Sequence, residues 1–285
     1  MQYTIQNGAL CVAVDSYGAQ IKSVKLNGKE RAWQNDNGAW KDTAPLLFPV
    51  CGHFGVTVDG KSYPIPAHGF VKKAEFTLIN QTKNALILQT CANAQTKAVY
   101  PFDFVFTVVY TVENDTLRIE YKVENTGKQP LYFACGGHDS FTFAGEIDEY
   151  QIAFEKQENL THYFHDDDGY LTGKTQNYGE NTQTLVLPKD FLQDGRTLIF
   201  KGINSRKVRF ETRDKQPLAD VSFAGFENLL IWRATADSNY VCIEPWTNLP
   251  DPANTPDTEF SQKAGTYKVD GHACTCLTRE IKYYG

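Results

Sequence analysis

The sequence predicts an all-β protein, an antiparallel sandwich or barrel with few and short helices. Three observations carry this: strict alternation of apolar and polar residues, turn dipeptides that recur from end to end, and scarce helical periodicity. The alternation is plainest in Leu117-Arg118-Ile119-Glu120-Tyr121-Lys122-Val123-Glu124, where every second residue is apolar and every intervening one charged. A strand with one face on a core and the other in water requires that pattern. The run 104–112 before it is apolar on both faces and rich in β-branched residues, and Glu113-Asn114-Asp115 supplies turn chemistry, so the two runs form a hairpin.

The punctuation repeats along the chain. Asn7-Gly8, Asn27-Gly28, Asp59-Gly60, Asn125-Thr126-Gly127 and Asp270-Gly271 each separate short strand-like runs. A short helix is expected around 188–193. Two stretches read as loops, 165–181 with its Asp166-Asp167-Asp168-Gly169, and 250–256, and both are placed to rim a site held by a rigid scaffold. There is no internal repeat and no long linker, so the expectation is one large domain over residues 1–285.

Composition narrows the function. A formal net charge of −6 and a pI near 5.6 argue against nucleic acid and against an anionic membrane, both of which attract clustered basic residues. No apolar stretch approaches the roughly 20 residues of a spanning helix, and residues 1–10 carry neither a basic head nor a continuous apolar run, so a cytoplasmic protein is expected. The seven cysteines, at 11, 51, 91, 135, 242, 274 and 276, are scattered, and several lie in apolar runs where they behave as small hydrophobes; they read as reduced thiols. Cys274 and Cys276 form a close pair with no second pair at zinc-site spacing.

Three segments place a polar residue in a strongly apolar context: Pro66-Ala67-His68-Gly69-Phe70, Gly136-Gly137-His138-Asp139-Ser140-Phe141, and Val241-Cys242-Ile243-Glu244-Pro245-Trp246. On a strand, Glu244 shares a face with Cys242 while Val241 and Ile243 point the other way, so neither face looks towards water. Taken singly, Glu244 reads as a buried ion-pair or hydrogen-bond partner, and His68 and His138 as core or turn histidines bonded to backbone. The glycines before His138 permit close approach by a ligand or a second segment.

Taken together, Ala44-Pro45-Leu46-Leu47-Phe48-Pro49, His68-Gly69-Phe70, Tyr100-Pro101-Phe102, Gly136-Gly137-His138 and Ile243-Glu244-Pro245-Trp246 resemble, in order, the signatures of the aldose 1-epimerase (galactose mutarotase) family, and most nearly its bacterial LacX-like branch. The resemblance implies a large antiparallel β-sandwich of the galactose-mutarotase type, a supersandwich with a sugar cleft on one sheet. It implies that Glu244 is the base that takes the anomeric hydroxyl proton, that His138 is the acid that protonates the ring oxygen, and that His68 orients the sugar. The chemistry suits these residue types, since opening a hemiacetal needs one base and one acid about C1 and no metal, nucleotide or covalent intermediate.

A flat aromatic packs on the C–H face of a sugar, which makes Trp246, Trp232 and Phe48 candidate platforms, with core packing the alternative for the last two. Where relatives carry a Gly-Arg pair this chain has Gly52-His53, so a pH-dependent imidazole, His53, replaces a fixed guanidinium as a candidate contact. Lys72 follows His68-Gly69-Phe70-Val71 where an arginine is common. The segment 194–200 resembles a stretch of the LacX-like branch, but neither Asp194 nor Arg196 supplies the sugar-fixing aspartate of better-known galactose mutarotases by motif.

Rival chemistries have thinner support. His162-Tyr163-Phe164-His165 before three aspartates suggests a metal site if a helix carries it. Ser140 lies near His138, but no Gly-x-Ser-x-Gly elbow occurs, and a glycosidase calls for two carboxylates. A sugar-binding protein without turnover needs no acid and base pair, and a hexose-phosphate mutarotase requires Lys72 or Arg233 to line the cleft.

Overall fold

Alternating burial along paired strands is what builds this protein. The computed structural model describes residues 1–190, 192, 196–253 and 258–285. The predicted hairpin is present as Phe104–Glu113 paired antiparallel with Thr116–Asn125. The first of these strands buries Phe104, Phe106, Val108, Tyr110 and Val112 and leaves the intervening residues half-buried.

Gln2–Asn7, Leu10–Asp15, Ile21–Leu26 and Lys29–Glu30 form a four-stranded antiparallel sheet. Asn27 and Gly28 take φ of 52° and 78°, and Asp59 and Gly60 take 51° and 72°, so both predicted dipeptides make the doubly left-handed turn that matches strand twist. Two two-stranded ribbons, Val56–Val58 with Lys61–Tyr63 and Leu131–Phe133 with Tyr267–Val269, stand apart, and a fifteen-stranded sheet holds the remaining strands. It runs from Thr77–Gln81 through the hairpin to Cys274–Tyr283, then Pro217–Ser222, Lys207–Thr212, Tyr150–His165, Thr197–Phe200, Asn228–Trp232 and Tyr240–Trp246, ending on Gly136–Gly137 and Leu46–Leu47.

The two ends of that sheet pack face to face. Phe48 lies 4.4 Å from Phe106 in a parallel stack, Phe141 packs on Tyr283, and Arg279 of Cys274–Tyr283 is ion-paired with Asp139 beside Tyr240–Trp246. Aromatic and β-branched side chains from Ile5 to Tyr283 form one continuous core between the layers. Phe48 belongs to this core and is fully buried, so it is a packing residue and not a sugar platform.

The expected loop at 165–181 is instead mostly strand. Tyr150–His165 and Leu171–Val186 form a long antiparallel arm with repeated register shifts, and only the Asp166–Tyr170 tip turns. Leu171–Val186 is exposed along most of its length, so no core face imposes an apolar alternation on its sequence. One α-helix appears among the described residues, Ala94–Val99, which the periodicity did not indicate because none of its side chains is buried. Its start is set by Asn93, whose side chain accepts from the Gln95 and Thr96 N–H groups. The expected helix at 188–193 falls partly outside the described residues, as do Asp194 and part of 250–256. Among the described residues no helix is long and apolar enough to cross a membrane.

Candidate active site

The site is assembled where four segments converge on one strand. Tyr240–Trp246 is buried at every residue, and alternation puts Cys242, Glu244 and Trp246 on one face. Gly136 pairs with Trp246 and Asp139 with Ile243, so the chain between them delivers His138 opposite Glu244. Only glycines allow this path. A Cβ at Gly136 would stand 2.7 Å from Trp246 Cδ1, and one at Gly137 2.5 Å from Arg279 Cζ.

The residue after His138 anchors it from below. Asp139 and Arg279 form a buried ion pair with side chains 3% and 0% exposed, and Arg279 Nε donates to the Tyr121 hydroxyl at 2.6 Å. Ser140 is 2% exposed, donates to the Thr43 carbonyl at 2.7 Å and accepts from the Trp33 N–H at 3.0 Å, so its hydroxyl is structural rather than nucleophilic.

His68 reaches the same point from a tight turn. His68 and Gly69 both take left-handed φ, 64° and 70°, and a Cβ at Gly69 would meet the Phe48 carbonyl at 2.0 Å. The His68 N–H donates to the Gly52 carbonyl at 2.9 Å, and its Nδ1 accepts the Gly52 N–H at 3.1 Å. That bond places the ring proton on Nε2, and the ring lies edge-on to His138 and Trp246 at 5.9 and 5.3 Å between centroids.

These side chains line a cavity of about 340 Å³, shared by His138, Glu244, His68, His53 and Trp246. The volume sits at the small end of the roughly 300–1,000 Å³ range of small-molecule sites, a fit for one sugar ring. His138 Nε2 stands 3.4 Å from Glu244 Oε2, with side chains 12% and 2% exposed. Among the described residues His138 Nδ1, Glu244 Oε1 and the Trp246 indole N–H have no hydrogen-bond partner, although all three atoms are buried. Burial holds the Glu244 carboxyl well above the ordinary carboxylate range, with the nearby Trp246 indole partly opposing the rise. Burial, then the proximity of His68 and Lys72, holds His138 well below the ordinary imidazole range. His68 is pushed down to about 3 by burial and by Lys72 and His53, so it is neutral at ordinary pH.

Trp40 and Asp42 line the cavity without having been singled out from the sequence. Trp40 stacks on the His138 ring at 5.0 Å and on Tyr240 at 5.6 Å. The signal available was a tryptophan in an otherwise polar, glycine-containing run, Asn35-Asp36-Asn37-Gly38-Ala39-Trp40. Trp232 meets Trp40 edge-on at 5.2 Å and His138 at 5.3 Å, and it lines the cavity rather than the core alone. Asp167, Asp168 and Lys72 also line it. The arm tip brings the two aspartates, with Gly169 against His53 and the Tyr170 ring 4.8 Å from the His53 ring.

Arg233 does not line the cavity. Its guanidinium donates to the Leu192 and Ser238 carbonyls. The His162 and His165 pair is carried by a strand, not a helix, which puts residues three apart on opposite faces. His162 Nδ1 accepts the Ile199 N–H at 3.0 Å, and His165 Nε2 accepts the Thr197 N–H at 3.3 Å while its side chain also lines the cavity.

Comparison with known proteins gives a consistent picture. The sequence profile of the aldose 1-epimerase family matches residues 1–266. The plasmid and chromosomal forms of protein LacX from Lactococcus lactis subsp. lactis are each 31% identical over 269 residues, spanning 87% of this chain and 88% of the relative. Among solved structures, a galactose mutarotase related enzyme from Lactobacillus acidophilus superposes with a TM-score of 0.88 at 26% identity, over 100% of this chain and 98% of that one. A galactose mutarotase-like protein from Lactobacillus casei ATCC 334 gives 0.90 at 24% identity with both chains fully covered.

Proposed function

The chain belongs to the aldose 1-epimerase family, and from that premise we propose that it interconverts the α and β anomers of a neutral hexose, with Glu244 as base and His138 as acid. The observation that carries this reading is the pair itself. A carboxyl oxygen and an imidazole nitrogen 3.4 Å apart, beside a sugar-sized cavity, can each meet one of the two oxygens bonded to the anomeric carbon.

The proton count closes. Burial disfavours both charged forms, so the pair holds one proton in the free site, and the carboxyl–imidazole and carboxylate–imidazolium states differ only in where it sits. In the second state Glu244 takes the O1 proton while the C1–O5 bond breaks, its electrons passing to O5, which receives the His138 proton. The product is an open-chain aldehyde bearing a C5 hydroxyl. Rotation about C1–C2 presents the other carbonyl face, O5 returns its proton to His138 as it attacks C1, and Glu244 protonates the new O1. The pair ends as it began.

His68, with its Nε2–H, and Trp246 are suited to orient the ring, one by hydrogen bond and the other by an apolar face. His53 lines the cavity, and by the resemblance of Gly52-His53 to the family's Gly-Arg pair it would stand where that arginine does. The charge pattern favours a neutral sugar over a phosphosugar, because three carboxylates, Asp42, Asp167 and Asp168, line the cavity against one ammonium, Lys72. The test is polarimetry on freshly dissolved α-D-glucose and α-D-galactose. The proposal expects a faster approach to anomeric equilibrium than in buffer alone with at least one of them, and activity confined to phosphorylated hexoses would overturn the neutral-sugar assignment.

A further inference from the structure

The reaction leaves one buried group at the site unused. Cys242 stands two residues before Glu244 on the same face of Tyr240–Trp246 and is fully buried. A ring nitrogen of His138, Cys242 Sγ and a Glu244 carboxylate oxygen lie within 4.8 Å of one another. His138 and Glu244 line the cavity, and the thiol is set back behind them.

We propose that His138, Cys242 and Glu244 form a binding site for a borderline or soft divalent metal ion, represented by Zn²⁺, whose occupation switches the enzyme off. The inhibitory part of this proposal rests on the reading of His138 and Glu244 as the reacting pair, whereas the binding part does not.

The donor set is one sulfur, one imidazole nitrogen and one carboxylate oxygen, which suits Zn²⁺, Cd²⁺ and their neighbours and excludes the all-oxygen preference of Mg²⁺ and Ca²⁺. With ligand bonds of about 2.0–2.3 Å, donors on a tetrahedral ion stand roughly 3.3–3.6 Å apart. His138 and Glu244 already have that spacing at 3.4 Å, whereas Sγ lies within 4.8 Å of them and must move closer for all three to bind one ion. Three protein ligands leave a fourth position open towards the cavity, where a sugar hydroxyl would otherwise lie.

Charge favours the arrangement as well. A divalent ion with one thiolate, one carboxylate and a neutral imidazole carries no net charge, so burial does not oppose it as it opposes a lone ion. Binding replaces the S–H bond by a metal–sulfur bond and releases that proton to solvent, together with the proton held by the His138 and Glu244 pair. Glu244 Oε2 faces His138, and Oε1 is buried without a hydrogen-bond partner among the described residues, so no existing side-chain bond holds the carboxylate away from an ion.

The test begins from a chain in which the exposed Cys91, Cys274 and Cys276 are serine, so that surface thiols do not report. Cd²⁺ is titrated while following the near-ultraviolet thiolate-to-metal charge-transfer band, and Zn²⁺ is titrated against a chromogenic chelator and against mutarotation. The expected result is one ion per chain, loss of mutarotation on binding, and recovery with EDTA. Cys242→Ser should retain mutarotation but lose the band and bind Zn²⁺ at least about tenfold more weakly. His138→Asn, with its fold checked by thermal melting, should weaken Zn²⁺ binding likewise. Absence of a saturating band in the serine background, or Zn²⁺ binding that Cys242→Ser leaves unchanged, would overturn the proposal. A Cys242-dependent band in a protein that mutarotates no sugar would sink the functional reading and leave the metal site standing.

Discussion

Changing the pH should separate this acid and base from an ordinary glutamate and histidine. In water the two groups titrate at 4.5 and 6.5, so a form carrying one proton between them exists over only two pH units. In the site burial moves the two in opposite directions. A second proton must make an imidazolium next to an uncharged carboxyl, which burial opposes, so the acidic limb belongs to His138 and lies well below 6.5. Losing the last proton must make a buried carboxylate, so the alkaline limb belongs to Glu244 and lies well above 4.5. Burial should therefore widen the plateau of kcat/KM beyond the two pH units between the ordinary values, with a fall of about tenfold per pH unit outside it. His68, pushed down to about 3, contributes no limb near neutrality. Lys72, lowered chiefly by burial, is another cavity group able to titrate on the alkaline side, and Lys72→Met separates its contribution by leaving the Glu244 limb in place. The assay is initial polarimetric rates at low sugar from pH 4 to 9, corrected for buffer catalysis. A bell no wider than two pH units, with limbs at the ordinary values, would refute the argument.

Two further substitutions test the scaffold. Asp139→Asn leaves the Arg279 guanidinium buried without its counter-charge, which should destabilise the fold by on the order of 3–5 kcal/mol. At about 2 °C per kcal/mol for a chain of this size, the melting temperature should fall by roughly 6–10 °C, and a drop under about 2 °C would show the pair to be dispensable. Trp40→Ala removes the ring stacked on His138, an interaction of roughly 0.5–1.5 kcal/mol, so kcat should fall about two- to thirteenfold with the melting temperature little changed. Unaltered kcat would assign Trp40 to cavity shape alone.

The parts of this protein that were legible beforehand are those where one local pattern meets one buried face. Leu117 to Glu124 alternates because one side of its strand faces the core and the other faces water. The arm at Tyr150–His165 and Leu171–Val186 was misread because its second strand has water on nearly all sides and its register shifts repeatedly, so polar residues and Gly173 pass for a loop. For the site, Glu244 betrayed itself as a carboxylate in an apolar strand, and the two glycines before His138 signalled a close approach that proves to be Trp246 and Arg279. Phe48 gave the same aromatic signal as Trp246 and went to the core, since residue type alone does not say which side of a sheet a ring will occupy. Trp40 and Asp42 join the cavity only through tertiary convergence, which no spacing along the chain records.

The assignment of acid and base is tested most directly by measuring anomer exchange at equilibrium. Proton NMR saturation transfer between the α and β anomeric protons of galactose, or of glucose if polarimetry favours it, reads ring opening and closing without a net change in composition. Wild-type protein should exchange the anomers well above the buffer rate, and Glu244→Gln and His138→Asn, each correctly folded, should each lower that rate by about 10²- to 10⁴-fold. Exchange near the wild-type rate in either variant would contradict the account.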